Sequence, residues 1–69
     1  MPNSVYKVIE LVGSSPVSWE KAAESALQVA SKSLRDLRIA EVTQMDMHLN
    51  EGKIEAYRVK LKVSFKYEG

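Results

Sequence analysis

The chain has 69 residues, ten Lys plus Arg against nine Asp plus Glu for a net charge of +1, and no cysteine. This length predicts one domain over 1–69, and the lack of cysteine excludes disulfides and thiolate metal sites. The balanced charge argues against a nucleic-acid partner, and no apolar run approaches the roughly 18 residues of a membrane span. We expect a soluble cytoplasmic protein, stabilised by oligomerisation because so short a chain buries only about 60% of its surface.

Residues 5–12 predict a first strand, because they are dense in β-branched side chains. The stretch Gly13–Pro16 predicts the break after it. A helix is predicted to begin with Ser15 as N-cap before Pro16, or with Ser18 instead. Its apolar stripe has steps of three and four and runs through Trp19, Ala22, Ala23, Ala26, Leu27, Ala30, Leu34 and Leu37. The alanines predict a helix that lies close against a sheet.

Residues 39–49 predict a second strand whose apolar alternation changes phase, so we expect a bulge or burial on both faces. The turn at 50–53 predicts a hairpin in which Gly52 supplies a positive φ. Residues 54–67 predict the third strand. A right-handed crossover would place it between the other two, antiparallel to both. The predicted fold class is α+β, of order β-α-β-β, with a three-stranded antiparallel sheet curled around one helix.

The third strand is too long for a compact domain of this size. Its odd positions from Tyr57 to Tyr67 are apolar, and its even positions from Arg58 to Lys66 are mostly cationic, which is the pattern of a strand with one buried face. Fourteen residues span roughly 46 Å, whereas a compact globule of this length has a diameter of about 28 Å. We therefore expect the strand to curl or to extend onto other copies of the chain.

Catalysis has little support in the sequence. The single His48 has no nucleophile or carboxylate at a recognisable spacing, and the three glycines form no phosphate-binding loop. We therefore predict a protein that is not an enzyme. The basic face of the third strand favours a solvated surface paired with acids from neighbouring strands or subunits. A surface for an anionic partner is the alternative.

Hard-cation binding is a further hypothesis, because calcium takes six to eight oxygen ligands. No EF-hand loop is present, so a site would be assembled from separate elements or subunits. The available carboxylates are Glu10, Glu20, Asp36, Glu41, Asp46 and Glu51. For each of them, plain surface solvation is the competing interpretation. Trp19 is interpreted as a core or interface anchor, with a stacking surface for a planar ligand as the alternative.

Three segments resemble the dodecin family. They are Val5-Tyr6-Lys7-Val8-Ile9-Glu10-Leu11-Val12-Gly13-Ser14-Ser15-Pro16, Leu34-Arg35-Asp36-Leu37-Arg38 before Ala40-Glu41-Val42, and the stretch from Tyr57 through Val63-Ser64-Phe65. The resemblance covers nearly the whole chain in the same element order. It implies a small bacterial or archaeal protein that assembles as a hollow homododecamer. Most members bind flavins such as FMN or riboflavin, and they serve in storage without catalysing a reaction.

Two positions depart from the flavin-binding pattern. Where those members stack the flavin on a tryptophan, this chain has Ile39, which has no π face. Where they place a glutamine on the last strand, it has Arg58, which donates hydrogen bonds but accepts none. Trp19 does not restore the site, because it is at the opposite end of the helix from Ile39.

These replacements, with Ser18-Trp19-Glu20 and Tyr57-Arg58-Val59-Lys60-Leu61, resemble a calcium-dodecin subgroup. The resemblance implies a homododecamer that binds a divalent cation such as calcium in place of flavin. We predict Glu20, Asp36 and Asp46 as metal ligands, because they are carboxylates in the most similar segments. Two alternatives stay open: a flavin-storage dodecin that uses Ile39 as an apolar platform, and a scaffold that binds an anionic partner through its basic strand face.

Overall fold

The computed structural model describes residues 3–67. Four elements follow one another: strand β1 (Tyr6–Ser15), helix α1 (Trp19–Ser31), strand β2 (Leu37–Asn50) and strand β3 (Lys53–Lys66). The sheet order is β1-β3-β2, and β3 is antiparallel to both neighbours. The predicted fold class and the central position of the third strand are confirmed.

The helix begins at the second of the two predicted caps and ends earlier than its apolar stripe suggested. The Ser18 hydroxyl accepts a hydrogen bond from the backbone N–H of Lys21 at 3.0 Å, which satisfies one of the unpaired donors of the first turn. The helix ends at Ser31, so the prediction that it continues through Leu34 and Leu37 was wrong. After a tight turn, Asp36 adopts a φ of 56° and Leu37 opens β2.

Gly13 lies inside β1, not in the predicted break. The strand continues three residues beyond Val12, to Ser15, because residues 13–15 pair with residues 57–59 of β3. The helix crosses the strand at Gly13. A Cβ atom on Gly13 would overlap the backbone carbonyl oxygen of Ala22 and would lie 3.1 Å from the Cβ of Ala26. The missing side chain therefore lets the helix backbone approach the strand.

The hairpin between β2 and β3 has the predicted geometry. Glu51 and Gly52 form its two-residue turn, with φ values of 52° and 78°. Positive φ at both central positions matches the right-handed twist of the flanking strands. Asn50 pairs with Lys53 and Leu49 with Ile54, so the turn sets the starting register of the hairpin.

A bulge at Thr43 explains the change of phase in β2, because Val42 and Gln44 pair with Leu61 and Lys60, which are adjacent in β3. The pairing with β3 shifts between Leu37 and Ile39, between Val42 and Gln44, and between His48 and Leu49. A bulge places two residues of one strand against one of its partner. The segment 44–48 is consequently displaced by one residue relative to the pairing at the turn.

The core lies between α1 and the central strand. Its buried side chains are Ala22, Val59, Leu61 and Val63. The helix packs mainly on β1 and β3, which leaves part of the apolar sheet face uncovered. We call Val42, Met45 and Met47 the β2 patch; these residues pair with Leu61, Val59 and Tyr57 and are 42–53% exposed.

The molecule is elongated, in agreement with the prediction that the third strand is too long for a compact domain. The described residues measure 53 × 21 × 16 Å, with a radius of gyration of 14.3 Å, against the roughly 11 Å of a compact domain. The β2–β3 hairpin therefore extends beyond the part of the sheet that the helix covers. Over residues 3–67, no helix is long and apolar enough to cross a membrane.

Candidate functional site

Arg58 and Asp46 form a two-pronged ion pair across β3 and β2. The Nε of Arg58 donates to Oδ1 of Asp46 at 2.7 Å, and Nη2 donates to Oδ2 at 2.9 Å. The hydrogen bond from Arg58 lowers the pKa of Asp46, and the carboxylate in turn raises the pKa of Arg58. Both side chains remain about half exposed. Each carboxylate oxygen thus already holds one N–H group of Arg58.

Trp19, at the start of α1, contacts the backbone of β2 at Asp46. Its indole Nε1 donates to the backbone carbonyl of Asp46 at 3.0 Å, and its ring meets that of Tyr57 edge-on with centroids 5.0 Å apart. This arrangement agrees with the prediction of a core anchor, because both the polar and the apolar part of Trp19 have partners within the fold. It also holds the Asp46 backbone in place independently of Arg58.

Ile39 lies at the other end of β2, opposite Ser64. It is 67% exposed and lines an open groove of 690 Å³ between the helix and β2. The groove wall is apolar at Leu27 and Leu37, and Glu20 lies on its helix side. Of the three predicted metal ligands, Glu20 is therefore the one that shares a groove with Ile39.

Ile39 and Arg58 are not brought together within one chain. Ile39 pairs with Ser64, which lies six positions from Arg58 along β3. At ~3.3 Å per residue, this separation is roughly 20 Å. A pocket that uses both side chains would therefore need two copies of the chain.

The predicted metal ligands lie on three different parts of the fold. Glu20 is in the first turn of α1, Asp36 precedes β2, and Asp46 lies within β2. Asp36 lines a separate cavity of 350 Å³ beside Lys7, Arg35 and Lys66. Within residues 3–67, no three His, Cys, Asp or Glu side chains form a group that could hold a metal ion. The described residues of one chain therefore do not by themselves fit calcium, which needs six or more oxygens.

Acids of the neighbouring strands accompany the cations on the outer face of β3. Lys60 lies 4.0 Å from Glu10 of β1, and Lys62 pairs in register with Glu10 on one side and Glu41 on the other. This arrangement agrees with the solvated, paired face that the sequence favoured. Exposed pairs of this kind add little stability but reduce the positive potential of the face.

Sequence reasoning missed the Asp46–Arg58 pair, although it named both residues. Counting back from the turn, where Asn50 pairs with Lys53, would place Asp46 opposite Tyr57. The bulge between His48 and Leu49 shifts the pairing by one residue and places it opposite Arg58. The extra residue of this bulge is Glu55 of β3, because the consecutive residues His48 and Leu49 pair with Ala56 and Ile54. The phase change of the apolar pattern in β2 did not signal it, because that change belongs to the other bulge, at Thr43.

Comparison with known proteins agrees with this fold. The family model described as dodecin matches residues 5–68. The chain is 51% identical to the calcium dodecin of Mycobacterium tuberculosis over 91% of this chain and 89% of that protein. It is 41% identical to the dodecin of Thermus thermophilus over 93% of each chain.

Solved structures of dodecins have the same fold as this chain. The dodecin of Streptomyces coelicolor superposes with a TM-score of 0.93 at 38% identity, covering 100% of this chain and 99% of that one. The Mycobacterium tuberculosis calcium dodecin, described as a calcium-chelating immunodominant antigen with a novel calcium-binding site, has a TM-score of 0.84 at 49% identity. That match covers 94% of this chain and 93% of the other. The chain belongs to the dodecin family.

Proposed function

We propose that this protein is a non-enzymatic, cytoplasmic dodecin that assembles as a hollow homododecamer and binds a divalent cation such as calcium. The observation that carries the choice of cation is the 51% identity to a calcium dodecin over 91% of this chain. The replacements at Ile39 and Arg58 support it, because they change the two positions at which the resemblance implies flavin contacts.

The shape of the single chain supports assembly. The β2 patch leaves three large apolar side chains 42–53% exposed on the face that β3 uses for the core. The two edge strands, β1 and β2, lie on either side of β3 in a sheet that extends to 53 Å. Contiguous apolar surface of this kind is typical of protein–protein contacts, and other copies of the chain are the proposed partner.

The proposed cation ligands come from different copies. Glu20, Asp36 and Asp46 are on separate elements, and residues 3–67 of one chain hold no group of three suitable side chains. Symmetry in a closed assembly repeats each carboxylate around the shared axes. We therefore propose that copies of these acids meet at interfaces, where they supply the oxygen ligands that calcium prefers.

Native mass spectrometry of the purified protein tests assembly and cation together. Twelve copies of the 7.8 kDa chain have a mass of about 94 kDa. We expect this species to carry additional calcium mass, which a chelator removes and added calcium chloride restores. A stable monomer would contradict the assembly. A dodecamer that retains no calcium and takes none up would contradict the choice of cation.

Flavin binding is the second candidate, and the open groove lined by Ile39 is the observation that favours it. We expect riboflavin fluorescence to be unquenched by micromolar protein, because Ile39 provides no aromatic surface. The double variant Ile39→Trp/Arg58→Gln is expected to quench it, and Arg58→Gln alone is the matched control. Strong quenching by the unmodified protein would favour the flavin-storage dodecin instead.

The third candidate, a scaffold for an anionic partner, has weaker support. The outer-face cations Arg58 and Lys60 already lie near acids of neighbouring strands. Binding through this face would weaken steeply with salt, as expected when several cations contact a polyanion.

A further inference from the structure

A second apolar groove lies between α1 and β1, with a volume of 510 Å³. We call it the β1 groove and define it by Leu11, Gly13, Ser25, Ala26, Val29 and Ser33. Its lining is rich in glycine, alanine and serine, and Val29 on its helix side is 65% exposed. A groove with so few large side chains leaves room for apolar side chains from another molecule.

The β1 groove differs in charge from the groove that Ile39 lines. Among the described residues, no charged side chain lines the β1 groove, whereas Glu20, Glu24 and Arg38 line the other one. Burying a charge without a partner is strongly unfavourable. An apolar surface would therefore cover the β1 groove at a lower cost in free energy than the groove that Ile39 lines.

The β2 patch is an apolar surface of matching character. Met45 and Met47 are 53% and 42% exposed, and flexible, unbranched methionine side chains fill irregular gaps well. The patch and the β1 groove lie at opposite edges of the sheet, because the strand order is β1-β3-β2 and the helix packs on β1 and β3. They therefore do not cover each other within one chain, and each chain presents both halves of a contact.

We propose that the β2 patch of one copy docks in the β1 groove of the next copy. The inference rests on the proposed assembly and adds which two surfaces meet in it. Because the two surfaces differ, the contact is heterologous: each copy receives one neighbour at the β1 edge and enters another at the β2 edge. Such a contact closes into a ring when the rotation between copies allows it, so it is compatible with a closed homododecamer.

Cysteine crosslinking tests this contact, because the chain has no cysteine of its own. Met45→Cys or Met47→Cys marks the patch, and Ser25→Cys, Val29→Cys or Ser33→Cys marks successive positions along the groove. Each double variant, with one position from each set, is oxidised and run on a denaturing gel without reductant. Disulfides need Cα atoms within about 7 Å. We expect at least one double variant to form bands at two or more times 7.8 kDa, and each single variant to stay at the monomer mass.

Gln28→Cys is the matched control for the groove positions. Gln28 is adjacent to Val29 in α1 but lines the groove that Ile39 also lines. Combined with either patch cysteine, it is expected to give no band above the monomer. Crosslinking from Gln28 in place of the β1 groove positions would contradict the inference.

Val29→Lys gives an independent measurement. Val29 is exposed in the single chain, so the circular dichroism spectrum should not change. A lysine buried against the β2 patch would have no partner for its charge, so light scattering should give masses far below the roughly 94 kDa of twelve 7.8 kDa chains. An assembly of full mass would contradict the proposed contact.

The outcomes separate this contact from the proposed function. If the unmodified protein forms the large assembly but no groove position crosslinks to either patch position, the contact is wrong while the assembly stands. Crosslinked dimers from a single patch cysteine also overturn it, because the patch would then meet its own copy across a two-fold axis. If the unmodified protein is a stable monomer, the proposed assembly and the inference both fail.

Discussion

Replacing Gly13 with alanine is expected to lower the free energy of unfolding by about 3 kcal/mol. The added methyl group would overlap the carbonyl oxygen of Ala22 and lie 2.9 Å from its carbonyl carbon. Both are backbone atoms of α1, so no side-chain rotation relieves the overlap and the helix must move away from β1. For a domain of this size, the melting temperature should fall by on the order of 15 °C.

Thermal melting followed by circular dichroism measures this effect. Gly52→Asn is the matched control, because Gly52 has open space around its Cβ position and a φ of 78°, which asparagine tolerates. We expect that variant to melt close to the unmodified protein. A Gly13→Ala variant with an unchanged melting temperature would show that α1 does not pack against β1 as described.

Replacing Met45 with glutamate is expected to abolish the large assembly. Met45 is 53% exposed in the single chain, within the β2 patch. If copies of the chain cover that patch, the substitution places a charge without a partner in each copy of the interface, which is strongly unfavourable. Light scattering at micromolar concentration should give masses far below the roughly 94 kDa of twelve 7.8 kDa chains.

Gln44→Glu is the matched control for this variant. It introduces the same charge one residue away on the other face of β2, directly across from Lys60, where an opposite-charge pair is favourable. We expect it to assemble normally. An assembly of full mass for Met45→Glu would exclude the β2 patch as an interface between copies.

Much of the fold was predictable because local patterns decide it. The alternation of β3 separates its buried and exposed faces, and the turn at Glu51–Gly52 requires positive φ values that glycine favours. The end of the helix was not predictable in the same way. Leu34 and Leu37 continue the helical spacing, but Leu37 instead joins β2, where it packs against the core. Apolar spacing indicates which side chains are buried, not which element carries them.

The candidate site was predictable only in its residue types. Ile39 and Arg58 stood out as departures from a flavin-binding pattern, and both remain predictions as site residues. Their separation of roughly 20 Å within one chain follows from their pairing with Ser64 and Asp46. Residue types alone do not show how far apart these two side chains lie in the folded chain.

The sequence by itself determined the order of the elements, the hairpin turn and the two faces of the third strand. The tertiary structure decided which side chains meet across that strand. Between two bulges, β2 is shifted by one residue, and this shift places Asp46 opposite Arg58 instead of Tyr57. A shift of the pairing by one residue changes which residue of β3 lies beside each β2 side chain on the same face of the sheet. The Asp46–Arg58 ion pair therefore depends on where the bulges form, which the packing of the whole sheet determines.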